Sequence, residues 1–343
     1  MFWRGARFVL SFALAAYGLY VVYGKHDELV GASTYFNHLR WEWLAVAAVV
    51  EAISWTAFAA LQRRLLRAGA VRIRLRTMTA VIVAANSIQN SLPAGPVFSN
   101  VYAFRQYRAR GADDVLAGWV LVGTAALAQI TLVVLAGIGL AGATGTGTGL
   151  NLAGVIVGLL LLAGLVILAW SRRDWIAYRL AGPLRLFQRF FKRPKGSVPE
   201  QLDRLVQRLH VITPTPGDWV MATSYALATW VFDVSCLIAA FLAVGAPVPW
   251  RALLLAYAAA QLAANLPITP GGLGVVEGSL TIGLVVFGGG QESTVAAVVL
   301  YRLLNFWIML PIGWTAWGAT NWQLRRWRER APTATMANAE GAT

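Results

Sequence analysis

The stretch Asn265-Leu266-Pro267-Ile268-Thr269-Pro270-Gly271-Gly272 lies between two apolar runs, 251–267 and 274–288, and its reading decides the fold. Two prolines and two glycines so close together cannot continue a helix, because proline lacks the N–H and clashes with the preceding turn. Neither flanking run reaches the roughly 20 residues that a helix needs to cross a hydrocarbon core about 30 Å thick. The pair reads as a hairpin that enters a bilayer, breaks and returns on the same side. A second break, Leu92-Pro93-Ala94-Gly95-Pro96, ends the short apolar run 77–92 in the same way.

Working outward, longer apolar runs predict helices near 8–24, 41–61, 115–140, 151–170, 219–244 and 294–320. The 343 residues are 58% hydrophobic and 13% charged, whereas soluble domains carry about 25% charged residues. A soluble cytosolic enzyme is excluded on that ground. Ala13-Leu14-Ala15 resembles a signal-peptide cleavage site, but the apolar run continues past it, so an uncleaved first span is expected.

Basic residues fix the sidedness. Arg63, Arg64, Arg67, Arg72, Arg74 and Arg76 follow the second span, the loop 171–218 is strongly basic, and Arg325, Arg326, Arg328 and Arg330 follow the last span. Cytoplasmic flanks hold such charge, so both termini are expected in the cytoplasm. The uncharged turn Gly142 to Gly149 is then external. The run 77–92 therefore starts and ends inside, and the run 251–288 starts and ends outside. The expected fold is an all-α polytopic membrane protein with about six full spans and two re-entrant hairpins in an inverted-topology repeat. One membrane domain covers 1–330, with halves at about 1–140 and 219–320, and 331–343 reads as a disordered tail.

The net charge of +14, from 29 basic and 15 acidic residues, is distributed as a membrane protein requires and is not a nucleic-acid footprint. With Cys236 the single cysteine and His26, His38 and His210 far apart, neither a disulfide nor a metal site is expected, and no cofactor motif occurs. Trp41, Trp43, Trp119, Trp170, Trp175, Trp219, Trp250 and Trp322 fall near span ends and read as interfacial anchors. Gly154 and Gly158 have the spacing of a packing motif. Leu202, Leu205, Val206 and Leu209 have helical spacing, suiting a helix on the anionic leaflet or on the protein's own rim.

Interrupted segments in corresponding positions of two halves point to a transport site near the midplane. Asn86, Gln89 and Asn90 form a polar face before the first break, and Gln261 and Asn265 repeat it before the second. Gly271, Gly272 and Gly274 can bring backbone amides to a phosphate at the positive end of the next helix, with Thr269 beside them; alternatively they only turn the chain. Arg302 lies inside the last span and needs a partner. Either it pairs with Glu277, or it binds lipid phosphate while Glu277 competes for it. Glu51 and Asp233 sit near the middle of matching spans, as proton carriers or as partners of buried amides. Arg302, Asn265, Thr269, Gly271, Gly272, Gly274, Asn90 and Asn86 are thus the candidate substrate contacts, with Glu277, Asp233 and Glu51 as coupling or gating candidates.

The motif from Asn265 to Glu277, Tyr301-Arg302 and Asn90-Ser-Leu-Pro-Ala-Gly95 followed by Arg105-Gln-Tyr-Arg108-Ala-Arg110-Gly111 resembles the transmembrane family of lysylphosphatidylglycerol synthetases. The resemblance covers most of the chain. It implies a polytopic bacterial inner-membrane protein that moves lipids between leaflets. After the first proline the family shows an arginine and then glycine with an acid, where this chain reads Ala94-Gly95-Pro96-Val97-Phe98. Nothing like the soluble synthetase domain is expected after residue 330, so lipid lysinylation, and enzymatic activity generally, is not expected. The expected partner is an anionic phospholipid or polyprenyl-linked lipid. Alternatives are a non-transporting partner of an envelope-synthesis enzyme, docking through loop 171–218, and a transporter of a small organic anion.

Overall fold

The computed structural model describes residues 39–92, 94–144, 214–265 and 269–340, and no strand occurs among them. The expected spans at 8–24 and 151–170, the Gly154/Gly158 pair, the helix at 202–209 and most of loop 171–218 lie outside these residues. Among the described residues, four stretches are long and apolar enough to cross a bilayer: Trp41–Ala68, Asp114–Ala143, Pro216–Ala243 and Gln291–Arg326.

Helix α1 (Trp41–Ala68) ends where Gly69 and Ala70 follow, the latter at φ 62°, and Val71 N–H reaches back to Leu66 O at 3.1 Å. That is a left-handed cap satisfying the last carbonyls. Helices α2 (Leu75–Ser91) and α3 (Gly95–Arg108) flank the first break, where Ala94 is left-handed. There a Cβ on Gly95 would lie 1.8 Å from Gln89 O, so only glycine lets α3 start this close to α2. Helix α4 is Asp114–Thr144. Helix α5 (Pro216–Ala243) begins with proline in its first turn and a capping box between Thr215 and Asp218.

After α6 (Trp250–Ala264) comes the second break, holding a short 3-10 turn (Pro270–Gly272) before α7 (Val275–Val286). At 1.5 Å per residue α2 is about 26 Å long and α7 about 18 Å, both short of a full crossing. Helix α8 (Gln291–Arg302) runs through a π turn (Leu303–Trp307) into α9 (Met309–Glu340). The helical backbone of α9 thus enters the stretch expected to be a disordered tail.

Helices α1 and α5 make the most extensive helix pair and run antiparallel. Arg40 N–H donates to Ala243 O at 2.8 Å at one end, Ser54 Oγ to Thr229 O at 2.9 Å midway, and Arg64 meets Asp218 at 2.7 Å at the other. Around this pair the short helices are exchanged: α2 packs on α9, and α6 packs on α4. Each exchange is made by a glycine. A Cβ on Gly313 of α9 would lie 2.4 Å from Val83 O of α2, and one on Gly139 of α4 would lie 2.6 Å from Leu255 N of α6. Close backbone approach of this kind is how helices associate where the surroundings are as apolar as their own side chains.

Two cores result. One gathers Leu65, Met78, Ile82, Tyr107 and Val120 at one end of α1, and the other gathers Ala47, Leu237, Leu253, Leu280 and Leu300 at the opposite end. Val49, Ile53, Val231, Ile282 and Val286 point outward, as lipid-facing side chains do.

Candidate functional site

Between the two breaks lies a cavity of about 660 Å³. Of the residues singled out in the sequence, Asn86, Asn90, Asn265, Thr269, Gly271, Gly272, Glu51, Asp233 and Arg302 line it, whereas Gly274 and Glu277 stand behind Arg302. The breaks touch: the 3-10 turn packs on α2, and a Cβ on Gly271 would lie 3.2 Å from Asn90 Oδ1. Asn90 Nδ2 donates to Asn86 Oδ1 at 3.3 Å, and Asn86 Nδ2 and Thr269 Oγ1 are buried without partners, so the wall keeps unused polar capacity.

Arg302 is 6% exposed and already engaged. Its Nε donates to Glu277 Oε1 at 2.7 Å, its Nη2 donates to Gly271 O at 3.2 Å, and the guanidinium lies 4.5 Å from the Phe306 ring centroid. The other oxygen of Glu277 accepts from Gly274 N–H at 2.7 Å, occupying the positive end of α7. One carboxylate therefore serves both the arginine and the helix terminus that the sequence offered to a phosphate.

The two acids at the middle of the antiparallel pair meet across the cavity. Asn305 Nδ2 donates to Glu51 Oε1 and to Asp233 Oδ1, at 2.8 Å each. Asp233 also accepts from the hydroxyls of Tyr257 and Tyr301 and, at 3.1 Å, from Gln261 Nε2. Glu51 has only the one donor, and its Oε2 is buried without a partner. Asn305 lies in the π turn, a wide helical turn common at functional sites.

Sequence reasoning missed Asn305, Tyr257 and Trp230, whose indole donates to Ala128 O at 2.9 Å beside the acids. An asparagine inside an otherwise apolar span, three residues after Arg302, was the available signal. Among the described residues no three His, Cys, Asp or Glu side chains converge to hold a metal ion.

The chain belongs to the family described as the lysylphosphatidylglycerol synthase TM region, whose model matches residues 8–313. It is a multi-pass helical membrane protein of a lipid-related family. It is also similar to a "UPF0104 membrane protein" of Methanothermobacter thermautotrophicus, at 36% identity over 88 residues; these are 26% of this chain and 25% of that relative.

Proposed function

We propose that this chain moves an anionic phospholipid or a polyprenyl-linked intermediate between the leaflets of a bacterial inner membrane, with both termini cytoplasmic. The observation that carries the reading is the cavity between two touching helix breaks, with asparagine, glutamine, acidic and arginine side chains in its wall, in a bundle whose outer faces are apolar. The exchanged short helices, the antiparallel acid-bearing pair and the matched glycine contacts support an inverted-topology repeat whose short helices are re-entrant hairpins. Such repeats place a substrate at the midplane and give alternating access by rocking one half against the other.

In this mechanism the headgroup enters the cavity while the acyl or prenyl tails stay in the bilayer. Asn86 and Asn90 from one break and Asn265, Thr269, Gly271 and Gly272 from the other hydrogen-bond it. Arg302 supplies positive charge when Glu277 releases it, and the freed end of α7 at Gly274 then adds amide donors. Glu277 is the gate, because its carboxylate and a phosphate compete for the same guanidinium.

Leaflet exchange of labelled anionic phospholipid and labelled polyprenyl-linked sugar in liposomes tests this. Exchange of either by wild type, lost in a folded Arg302→Ala variant, is the expected result. No exchange of either by folded wild-type protein would defeat the proposal.

A further inference from the structure

An anionic headgroup sharing a cavity with Glu51 and Asp233 meets two carboxyl groups there, and Arg302 of the same wall is paired with Glu277 until the headgroup takes it. We infer that Glu51 binds a proton from the cavity, with Asp233 as its fixed, fully hydrogen-bonded neighbour and Asn305 as the link between them. The proton site stands on the geometry alone; its coupling to lipid movement rests on the translocase reading.

The division of roles follows from the donors. Asp233 accepts from Tyr257, Tyr301, Gln261 and Asn305, so both of its oxygens are already taken by donors and neither needs a hydrogen of its own. Glu51 accepts at 2.8 Å from Asn305, its other polar neighbours being Trp55, Cys236 and the Asp233 carboxyl, and the residue is 3% exposed. Its Oε2 is thus a buried acceptor with nothing to accept, beside a second carboxylate held by the same amide. Such an oxygen is satisfied if it carries a hydrogen itself and gives it to the Asp233 carboxyl beside it.

The other groups facing Glu51 do not alter this. Trp55 on α1 and Cys236 on α5 lie beside the carboxyl without a hydrogen bond to Oε2, and Tyr257 on α6 and Tyr301 on α8 are turned to Asp233. Helices α2 and α4 carry their ionisable side chains, Arg76 and Asp114, only at their ends. A sodium ion needs a shell of several oxygens, as other hard cations do. Around the two acids most oxygens already receive protein donors, which leaves a place for a proton and none for a metal shell.

Asn305 carries the consequence to the headgroup end. It lies three residues after Arg302 and next to Phe306, which stacks on the guanidinium and fills the space beside Gly271. A change of charge on Glu51 alters the bridge that Asn305 makes, and Asn305 moves on the same helical turn as those two side chains.

Dicyclohexylcarbodiimide tests the site on the wild-type protein, since it adds to protonated carboxyls in apolar surroundings and leaves a stable acylurea that peptide mapping locates. Label on Glu51, decreasing as pH rises and unchanged by sodium at fixed pH, is the expected result. Label on Asp233, label on neither acid, or protection by sodium would overturn the inference. In liposomes, a pH gradient should accelerate lipid exchange by wild type, and Glu51→Gln should lose that response. Exchange that ignores the gradient in wild type overturns the coupling while leaving translocation standing. Absence of all exchange defeats the translocase reading, and the labelling still decides the proton site.

Discussion

Glu277 holds Arg302 with one oxygen, at 2.7 Å, and the amide of Gly274, the residue that caps α7, with the other, also at 2.7 Å. The last span is thereby fastened to the second break at the point where α7 begins. Glu277→Gln retains an acceptor for Gly274 but leaves the guanidinium buried without a counter-charge. Breaking such a pair from one side costs about 3 kcal/mol, so denaturant or thermal unfolding in detergent should show a clear loss of stability. Arg302→Lys should not match wild type, because an ammonium cannot reach Glu277 and Gly271 in parallel while stacking on Phe306. Wild-type stability in Glu277→Gln would mean that the pair does not fasten the break.

The exchanged packing of the short helices makes a sharper stability prediction. Gly313→Ala drives a methyl group into Ser87 Oγ and Val83 O, and Gly139→Ala does the same to the α6 backbone. Each should cost about 1–3 kcal/mol or more by overpacking. Gly137→Ala, with open space at the same helix, should be neutral or stabilise by up to about 1 kcal/mol, because alanine is the better helix former. Equal behaviour of Gly137→Ala and Gly139→Ala in thermal unfolding would rule out the contact between α4 and α6.

Tyr257 and Tyr301 both donate to Asp233 Oδ2. Removing either hydroxyl with phenylalanine should destabilise by about 1–3 kcal/mol, the cost of leaving a buried acceptor short of its donor. Because the two share one acceptor, the double variant should depart from additivity by at least about 0.5 kcal/mol. A strictly additive double-mutant cycle would indicate that the hydroxyls do not act on the same carboxylate.

Sidedness and the cavity can be read with single cysteines in a Cys236→Ser background. Arg72→Cys and Arg325→Cys, both at exposed positions, should react with an impermeant maleimide only from the cytoplasmic side, and Glu292→Cys only from outside. Asn90→Cys and Thr269→Cys, in the cavity wall, should react with a water-soluble thiol reagent, whereas Ile282→Cys, on the lipid-facing side of α7, should not. Reaction of Arg72→Cys and Glu292→Cys from one and the same side would break the inverted arrangement of the two breaks.

Much of this fold is legible in the sequence because each apolar run carries its own length limit. The boundaries expected for the second span, 41–61, fall within α1 and those for the run 219–244 overrun α5 by one residue, and the prolines and glycines at 92–96 and 265–272 coincide with the interruptions between short helices. The singled-out polar residues share the cavity for the same local reason, since a helix that breaks inside the bilayer must turn its polar end toward water or protein.

Which residues meet across helices was decided only by tertiary structure. Glu51 and Asn305 are separated by 254 residues, and nothing in the periodicity of either helix sets their rotation or spacing. Those follow from Gly313 and Gly139, which bring α9 onto α2 and α4 onto α6, and from the packing that turns α1 and α5 face to face. Helical repeat assigns a residue to a face of its own helix; close packing of many side chains at once chooses the face opposite. That choice ties Glu277 to Arg302 and gives Asp233 its full set of donors, while Glu51 is left with one.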